Sequence, residues 1–252
     1  MSNDSARFCP LTLIAIFAFT GTLSAQEGTW SVTASAGYGK FNFEEVDDDN
    51  RSDVEGWNRI GLAVEQFESL TTSPVFSGSA AYRFSREFNV SLSGRFFSKA
   101  VTASFNGTQE ILLLKRSVSS TDLSLGMAYY PPAQLAFIQW SAGVSIGYMF
   151  ARAGAEAFGT RSEKVGTDLT TTTTIDTKAD FRKSKIVVAA SLGAEASLFK
   201  GLLFTIEGCY RFAPLGKLDG DVTRFGATRS ETTSIEFDYS GFVLSAGLGV
   251  EF

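Results

Sequence analysis

The sequence contains no histidine, and this absence limits the chemistry that the chain can perform. Histidine is the most frequent general base in enzymes and the most frequent metal ligand in proteins. Cysteine is nearly absent too, because Cys9 and Cys209 are the only two among 252 residues. A lone cysteine outside the N-terminal segment cannot form an intrachain disulfide or a cysteine-rich metal site. We therefore predict no catalytic residue, no metal site and no cofactor.

Long hydrophobic runs are missing after residue 25. The longest aliphatic run there is ILLL at residues 111–114, whereas a helix needs about 20 apolar residues to cross a bilayer. A helical membrane protein is therefore not expected. The formal net charge of -5, without a basic patch, argues against nucleic acid as a partner.

Residues 1–25 have the pattern of a secretory signal peptide. The apolar stretch LTLIAIFAF at residues 11–19 is too short for a membrane-spanning helix. Ala25 provides a small residue for cleavage before Gln26. We therefore predict an exported chain with a signal peptide at 1–25 and one domain at 26–252.

The dominant pattern in the remainder is alternation of apolar and small or polar residues, which is the signal of a β-strand. Phenylalanine and glycine are abundant, with 23 and 24 residues, and suit strands that have one bulky and one small face. The alternation predicts eight strands, at residues 29–43, 75–85, 88–105, 111–130, 135–157, 184–199, 202–212 and 234–252.

The connections between these segments are alternately short and long. Short ones follow the second, fourth and sixth strands, the last being a two-residue hairpin in which Gly201 supplies a positive φ. The connections at 44–74, 159–183 and 213–233 are all long, and only the one at 106–110 is brief. A soluble sandwich has no reason for this pattern, whereas an outer-membrane barrel has short periplasmic turns and long outer loops.

The two faces of the strands support the barrel interpretation. In the fifth strand, one face carries large apolar residues from Ile138 to Phe150, and the other carries Gln139, serines and glycines. A bulky aromatic face suits lipid, and a small, polar face suits a narrow lumen. We predict an all-β, eight-stranded antiparallel up-and-down transmembrane barrel. The alternative is a ten-stranded barrel in which residues 58–69 join as part of a hairpin.

The chain ends in GFVLSAGLGVEF, with the alternation continuing to Phe252. Together with the signal peptide, the eight strands and the loop lengths, this ending resembles the small outer-membrane barrels of Gram-negative bacteria, of the outer-membrane protein A type and the opacity-like porins. The resemblance covers residues 26–252. It implies a multi-pass protein of the cell surface, surrounded by outer-membrane lipid and lipopolysaccharide. It also implies that the barrel-assembly machinery recognises the last strand, through Gly247, Leu248, Val250 and Phe252.

The resemblance also bears on function. Barrels of this size that are acyl-transferases, deacylases or proteases use a histidine, so we expect that this chain is not an enzyme. The first hypothesis is a structural or adhesin-like surface protein whose loops at 44–74, 159–183 and 213–233 contact an extracellular ligand. The alternative is a narrow porin or hydrophobic-solute channel.

Charged residues on the small face of the strands are the main candidate site. By alternation they face the lumen, where buried charges are tolerated when they are paired. The structural hypothesis is an ion-pair plug, and the functional one is a gate on a thin conduit. We expect Arg95 within salt-bridge reach of Glu207 or Glu195. The full set is Arg83, Arg95, Lys99, Asp122, Lys185, Glu195, Glu207, Arg211 and Glu251.

Two segments of unusual composition lie between predicted strands. Residues 44–56, EEVDDDNRSDVEG, hold seven acidic residues and one arginine. They predict a solvated, mobile outer loop, with a divalent-cation site as the alternative. Residues 167–177 are rich in threonine, which favours extended backbone. They could extend the fifth and sixth strands as a hairpin or form a surface that partners contact.

Overall fold

The computed structural model describes residues 28–59, 61–107, 110–132, 138–165, 168–199 and 201–252. The predicted signal peptide at 1–25 lies outside these residues. Among the residues that are described, no helix has the length and apolar character needed to cross a bilayer.

The described chain contains one helix and a series of strands. In chain order the elements are β1 (Thr29–Phe41), α1 (Glu44–Arg59), β2 (Thr72–Arg83), β3 (Phe88–Asn106), β4 (Glu110–Tyr129), β5 (Ile138–Val165), β6 (Asp168–Phe199), β7 (Leu202–Phe212), β8 (Pro214–Gly216), β9 (Asp219–Arg224), β10 (Ala227–Thr232), β11 (Phe237–Asp238) and β12 (Gly241–Glu251).

Eight of these strands form a closed antiparallel ring. Each strand from β1 to β6 pairs with the strand that follows it, and β12 pairs with both β7 and β1. The last residue joins the seam, since Trp30 and Phe252 exchange two backbone hydrogen bonds of 2.9 Å. The predicted eight-stranded barrel is thus confirmed. The ten-stranded alternative is wrong, because residues 61–69 form no strand.

The outer face of the ring carries a continuous series of exposed apolar side chains. In β12 the apolar side chains from Phe242 to Val250 are exposed, and the residues between them are buried. In β5 the exposed apolar residues run from Trp140 to Phe150. Ten residues of a tilted strand rise about 25 Å, the height of the hydrocarbon-facing surface of an outer-membrane barrel. We call this surface the apolar band.

Four neighbouring strands, β3 to β6, continue beyond the apolar band. The longest are β5 and β6, with 28 and 32 residues. The hairpin of β9 and β10 adds to this sheet by pairing Asp219–Arg224 with the upper part of β6. We call the sheet beyond the band, with this hairpin, the projection. We call its side of the barrel the loop end, and the opposite side the turn end.

The projection corrects the predicted strand limits and confirms one hypothesis. The sequence predicts that the fifth strand ends at residue 157 and the sixth begins at 184, but β5 continues to Val165 and β6 begins at Asp168. The threonine-rich segment is therefore a hairpin extension, one of the two alternatives. The predicted limits are too short because both faces of this hairpin carry threonines and charges, which hide the alternation.

The acidic segment is a helix, so the predicted mobile loop is wrong. Val46, Asn50 and Val54 recur at helical spacing and form one buried face of α1. Acidic residues in the first turn favour the helix, because they complement its dipole. Asp47 accepts hydrogen bonds of 2.8 Å from the backbone N–H of Leu70 and the hydroxyl of Thr71, which fixes the helix to the following loop. The cation-site alternative lacks a ligand cluster: no three acidic or cysteine side chains in the described chain could hold a metal ion together.

Helix α1 packs on the inner face of the projection. Val54 and Val64 contact the inward side chains of Leu112 and Leu114 in an apolar cluster. Arg116 of β4 donates a hydrogen bond of 3.2 Å to Asn50 and forms an ion pair with Asp53. The helix thereby covers the loop end of the barrel.

We predict that Val54→Ala loosens this cover. Removing a fully buried valine side chain costs about 2 kcal/mol, so α1 should be cleaved faster in limited proteolysis of the folded protein. The neighbouring exposed variant Glu55→Ala is the control and should leave the cleavage rate unchanged. Equal cleavage of Val54→Ala and the wild type would contradict the packing described here.

Candidate functional site in the barrel lumen

Among the residues that the structure describes, three ion pairs cross the lumen at successive heights. From the turn end to the loop end they are Arg83 with Glu195, Arg95 with Glu207, and Arg211 with Asp122. Each pair joins strands on different parts of the ring, so the side chains bridge the interior.

The first pair belongs to a network at the turn end. Arg83 donates hydrogen bonds from Nη2 to Glu195 Oε2, at 3.1 Å, and from Nη1 to Gln139 Oε1, at 2.9 Å. Its guanidinium lies 4.1 Å from the ring centre of Tyr130, and the hydroxyl of Tyr130 donates to Glu195 Oε1 at 2.8 Å. Asn89 Nδ2 in turn donates to Tyr130 Oη at 2.9 Å. These side chains cross-brace the turn end of the lumen.

The second pair borders a small polar chamber. Arg95 Nη2 lies 3.6 Å from Glu207 Oε1, the proximity that the sequence predicts. The chamber has a volume of about 160 Å³. Many of the residues in its walls carry hydroxyl groups, among them Ser31, Thr33, Ser35, Ser77, Ser79, Ser91, Ser93, Ser141, Ser145, Ser191, Thr205 and Ser245.

The third pair is fully removed from solvent. The Arg211 side chain is 0% exposed and the Asp122 side chain 4%. Their nearest atoms, Nη1 and Oδ2, lie 3.1 Å apart, and Nη2 lies 2.6 Å from the sulfur of Met149. The guanidinium also lies over the rings of Phe41 and Phe97, at 5.7 and 5.8 Å from their centres. Removal of either partner would leave the other charge buried without compensation, which strongly destabilises a protein.

Beyond the third pair, the lumen is filled by apolar side chains. Phe41 stacks on Phe97 with ring centres 4.2 Å apart, and Tyr239 meets Phe43 edge to face at 4.9 Å. These rings belong to one cluster of 18 buried residues, which also includes Leu215 and Leu218 of the segment before β9. We call this cluster the apolar plug. The lumen is thus polar at the turn end and apolar at the loop end.

Six of the nine predicted lumen charges form the three pairs, and three do not. Lys99 donates to the backbone carbonyl of Thr72 at 2.8 Å, and Lys185 donates to that of Pro214. Glu251 stands opposite Ser31 at the turn end. Alternation assigns both Arg211 and Asp122 to the lumen, but it does not predict that they pair with each other.

The uncharged members of the site are absent from the predicted set. Tyr130 and Met149 contact paired charges and Asn89 contacts Tyr130, but the prediction from sequence includes only charged residues. Strand parity could have identified them. Tyr130 lies eight residues after Asp122, and Asn89 lies six before Arg95, so both share the lumen face.

The predicted assembly residues lie along the closing seam. Leu248, Val250 and Phe252 are exposed on the outer face, whereas Gly247 faces inward opposite Ser35. A Cβ at Gly247 would lie 2.7 Å from the backbone oxygen of Ala34, so this close approach of β12 to β1 requires glycine. Recognition of these residues by the assembly machinery stays a prediction.

Comparisons with known proteins identify the fold. No protein-family model and no curated protein matches the sequence. Among solved structures, the outer membrane protein OprG from Pseudomonas aeruginosa is 12% identical with a TM-score of 0.50, over 90% of this chain and 97% of that one. A major outer membrane protein from Thermus thermophilus is 10% identical with a TM-score of 0.55, over 90% and 100%. The chain therefore has the fold of the small outer-membrane β-barrels.

We predict that Asp122→Ala strongly destabilises the barrel. Removing one partner of a buried ion pair leaves an uncompensated charge and costs about 3–5 kcal/mol. The double variant Asp122→Leu, Arg211→Met should recover most of this loss, because apolar side chains of similar size replace the whole pair. Urea unfolding from lipid vesicles, followed by tryptophan fluorescence, measures both changes.

The matched control is Lys99→Met, which removes a lumen charge outside the three pairs. It should change the free energy of unfolding by about 1 kcal/mol or less. A double variant as unstable as Asp122→Ala alone would show that the charge pair is not the source of the effect.

Proposed function

We propose that the protein is an integral, multi-pass protein of the outer membrane with a structural or surface-interaction role. The observation that carries this proposal is the filled lumen beneath a folded projection. The apolar plug and the buried pair of Arg211 and Asp122 occupy the loop half of the lumen, and α1 covers them. A barrel filled in this way serves as an anchor, and the projection is the part available to partners.

The orientation follows from the connections. Outer-membrane barrels have short turns in the periplasm and long loops outside. The turn end holds the short connections after β2 and β6, and the loop end holds α1 and the projection. We therefore assign the projection to the cell exterior. The same orientation leaves Phe252, at the turn end of β12, near the periplasm, which is consistent with a role of this residue in assembly.

Apolar residues on the outer face of the projection support a contact role. Ile111, Leu113 and Phe158 are exposed there. A row of charges separates them from the apolar band, since Glu156 pairs with Lys115 at 3.8 Å and with Lys178 at 3.2 Å. Apolar side chains above such a row do not contact the hydrocarbon of the membrane. Exposed apolar groups of this kind are typical of interaction surfaces.

The tip of the β9–β10 hairpin supports the same role. Phe225 has a positive φ of 48° and Gly226 follows with 80°. Asparagine and glycine are the residues that such two-residue turns favour, and a bulky residue there is strained. The Phe225 side chain is nevertheless 65% exposed. A strained, exposed aromatic residue motivates the hypothesis that it contacts a partner.

The second candidate is a narrow channel, and one observation favours it. The hydroxyl-lined chamber next to Arg95 is a polar space inside the barrel. For conduction, the network around Arg83 and the apolar plug would both have to move. We therefore rank this function below the first. In either case we propose a non-enzymatic protein.

We predict that the purified protein shows no ion conductance above background in planar bilayers. The double variant Arg83→Ala, Glu195→Ala should also be silent, because it opens only the turn end and leaves the plug in place. Stable conductance steps of the wild type would favour the channel. Steps that appear only in the double variant would identify the Arg83 network as a gate.

We predict that Phe225→Asn weakens attachment of cells that display the protein to matrix-coated surfaces. Asparagine suits the positive φ, so the turn should be as stable or more stable while the exposed ring is lost. Arg229→Gln, in the neighbouring strand, is the control and should attach like the wild type. Unchanged attachment of the Phe225 variant would remove this residue from the contact surface.

A further inference from the structure

The outer face of the projection carries an apolar patch of three residues on two neighbouring strands. Leu113 of β4 stands opposite Phe158 of β5 in the sheet register, and Ile111 lies above Leu113 on the same face. The three side chains are 45–49% exposed. The row of charges around Glu156 lies between this patch and the apolar band, so the hydrocarbon of the membrane does not cover the patch.

The charges directly below the patch are not saturated within one chain. Lys115 Nζ lies 3.8 Å from Glu156 Oε2, which is too far for a hydrogen bond, whereas Lys178 Nζ lies 3.2 Å from Glu156 Oε1. The side chains of Lys115 and Glu156 are 48% and 45% exposed. Both can therefore reach a group of opposite charge on a second molecule.

The pair of Lys115 and Glu156 is complementary to itself under a two-fold rotation. The two residues stand opposite each other on neighbouring strands, which lie about 4.8 Å apart. A two-fold axis along the membrane normal and between them places Lys115 of each copy beside Glu156 of the other. A strand tilt of about 40° offsets the two levels by about 3 Å, less than the length of a lysine side chain. An axis through either residue would instead oppose two lysines or two glutamates.

The residues around this pair allow two sheets to approach each other. Below it, Ser117 and Gly154 stand opposite each other and have little or no side chain. Above it, the patch residues Leu113 and Phe158 lie close to the same axis, so apolar groups of the two copies cover each other. An apolar centre with charged groups at its rim is the usual composition of a protein interface, and a two-fold contact uses the same surface on both copies.

We propose that the outer face of β4 and β5 in the projection is a docking surface for a second copy of this chain in the same membrane. The membrane holds both copies in one orientation, which removes part of the rotational and translational freedom that association would otherwise cost. The inference rests on the proposed function, since it requires the barrel to lie in a membrane. It names the partner that covers the apolar patch.

The test measures energy transfer between copies in phosphatidylcholine vesicles. Arg86→Cys, in the exposed turn after β2, carries a donor or an acceptor dye, and the buried Cys209 does not compete for the label. All proteins compared below contain this change. We expect transfer between wild-type copies above the level of random mixing, and we expect excess unlabelled wild type to abolish it. Transfer at the random level would overturn the docking surface.

Reversal of either charge distinguishes a contact between copies from one within a chain. Lys115→Glu and Glu156→Lys should each reduce transfer several-fold, because like charges then meet across the axis. A mixture of the two variants should restore transfer, because opposite charges then meet at both contacts. Each chain in the mixture still carries like charges at its own two positions, so an effect confined to single chains would not be restored. Failure of the mixture to restore transfer would overturn the docking surface.

The apolar patch and a distant ion pair supply two further variants. Leu113→Ser should reduce transfer, because it removes an apolar contact near the axis. Arg224→Glu is the matched control, since it reverses one charge of the exposed pair of Arg224 and Glu231. It should give the same transfer as the wild type. Transfer that persists in both charge variants and in Leu113→Ser, or that is lost equally in the control, would overturn the docking surface.

Flotation of each protein with urea-washed vesicles and its heat-dependent gel migration report insertion and folding separately. A wild type that does not insert would contradict the proposed function, whereas a folded, inserted wild type without transfer would overturn only the docking surface. In that case, weaker attachment of cells displaying Leu113→Ser to matrix-coated surfaces would assign the patch to an external partner instead of a second copy.

Discussion

The rest of the structure depends on closure of one ring of backbone hydrogen bonds. In hydrocarbon every backbone N–H and C=O group must be paired, which an open sheet cannot achieve. Here β12 completes the ring by pairing with β1 and β7, and the final residue bonds back to Trp30. Closure also forces alternate side chains to opposite environments. The apolar band outside and the small, polar lumen at the turn end are two results of this one constraint.

The lumen solves a second problem, which is how to fill a narrow interior. At the turn end, serines and two ion pairs line a small polar chamber. At the loop end, the chain returns into the barrel and packs Leu215, Leu218 and Tyr239 against Phe43 and Phe97. The buried pair of Arg211 and Asp122 lies between these two regions. The aromatic rings of Phe41 and Phe97 lie within cation–π distance of the guanidinium and offset part of its desolvation, while its Nε has no hydrogen-bond partner among the described residues.

The ring, the faces of its strands and the proximity of Arg95 to Glu207 could be predicted, because all three depend on a period of two and on strand order. Helix α1 could not be predicted, because its buried face includes the polar Asn50 and is surrounded by acidic residues. The side chains that it packs against also lie on strands that are distant in sequence. The extension of β5 and β6 could not be predicted either, because threonines and charges on both of its faces hide the alternation. The contact of Arg211 with Asp122 spans the lumen, and no local pattern encodes a distance between strands that are not neighbours.

Because the strands have unequal lengths, the two sides of the barrel differ in height above the membrane. The long strands β3 to β6 are consecutive around the ring, so the wall is high on one side and low along β7, β12, β1 and β2. Helix α1 packs against the inner face of the long strands and exposes Glu44, Asp48 and Glu55 on its opposite side. A molecule that approaches the loop end from the side of the short strands therefore contacts the acidic face of α1. A molecule that approaches from the side of the long strands contacts the outer face of the sheet. Two neighbours of the same protein can thus encounter different chemistry, depending only on the side from which they approach.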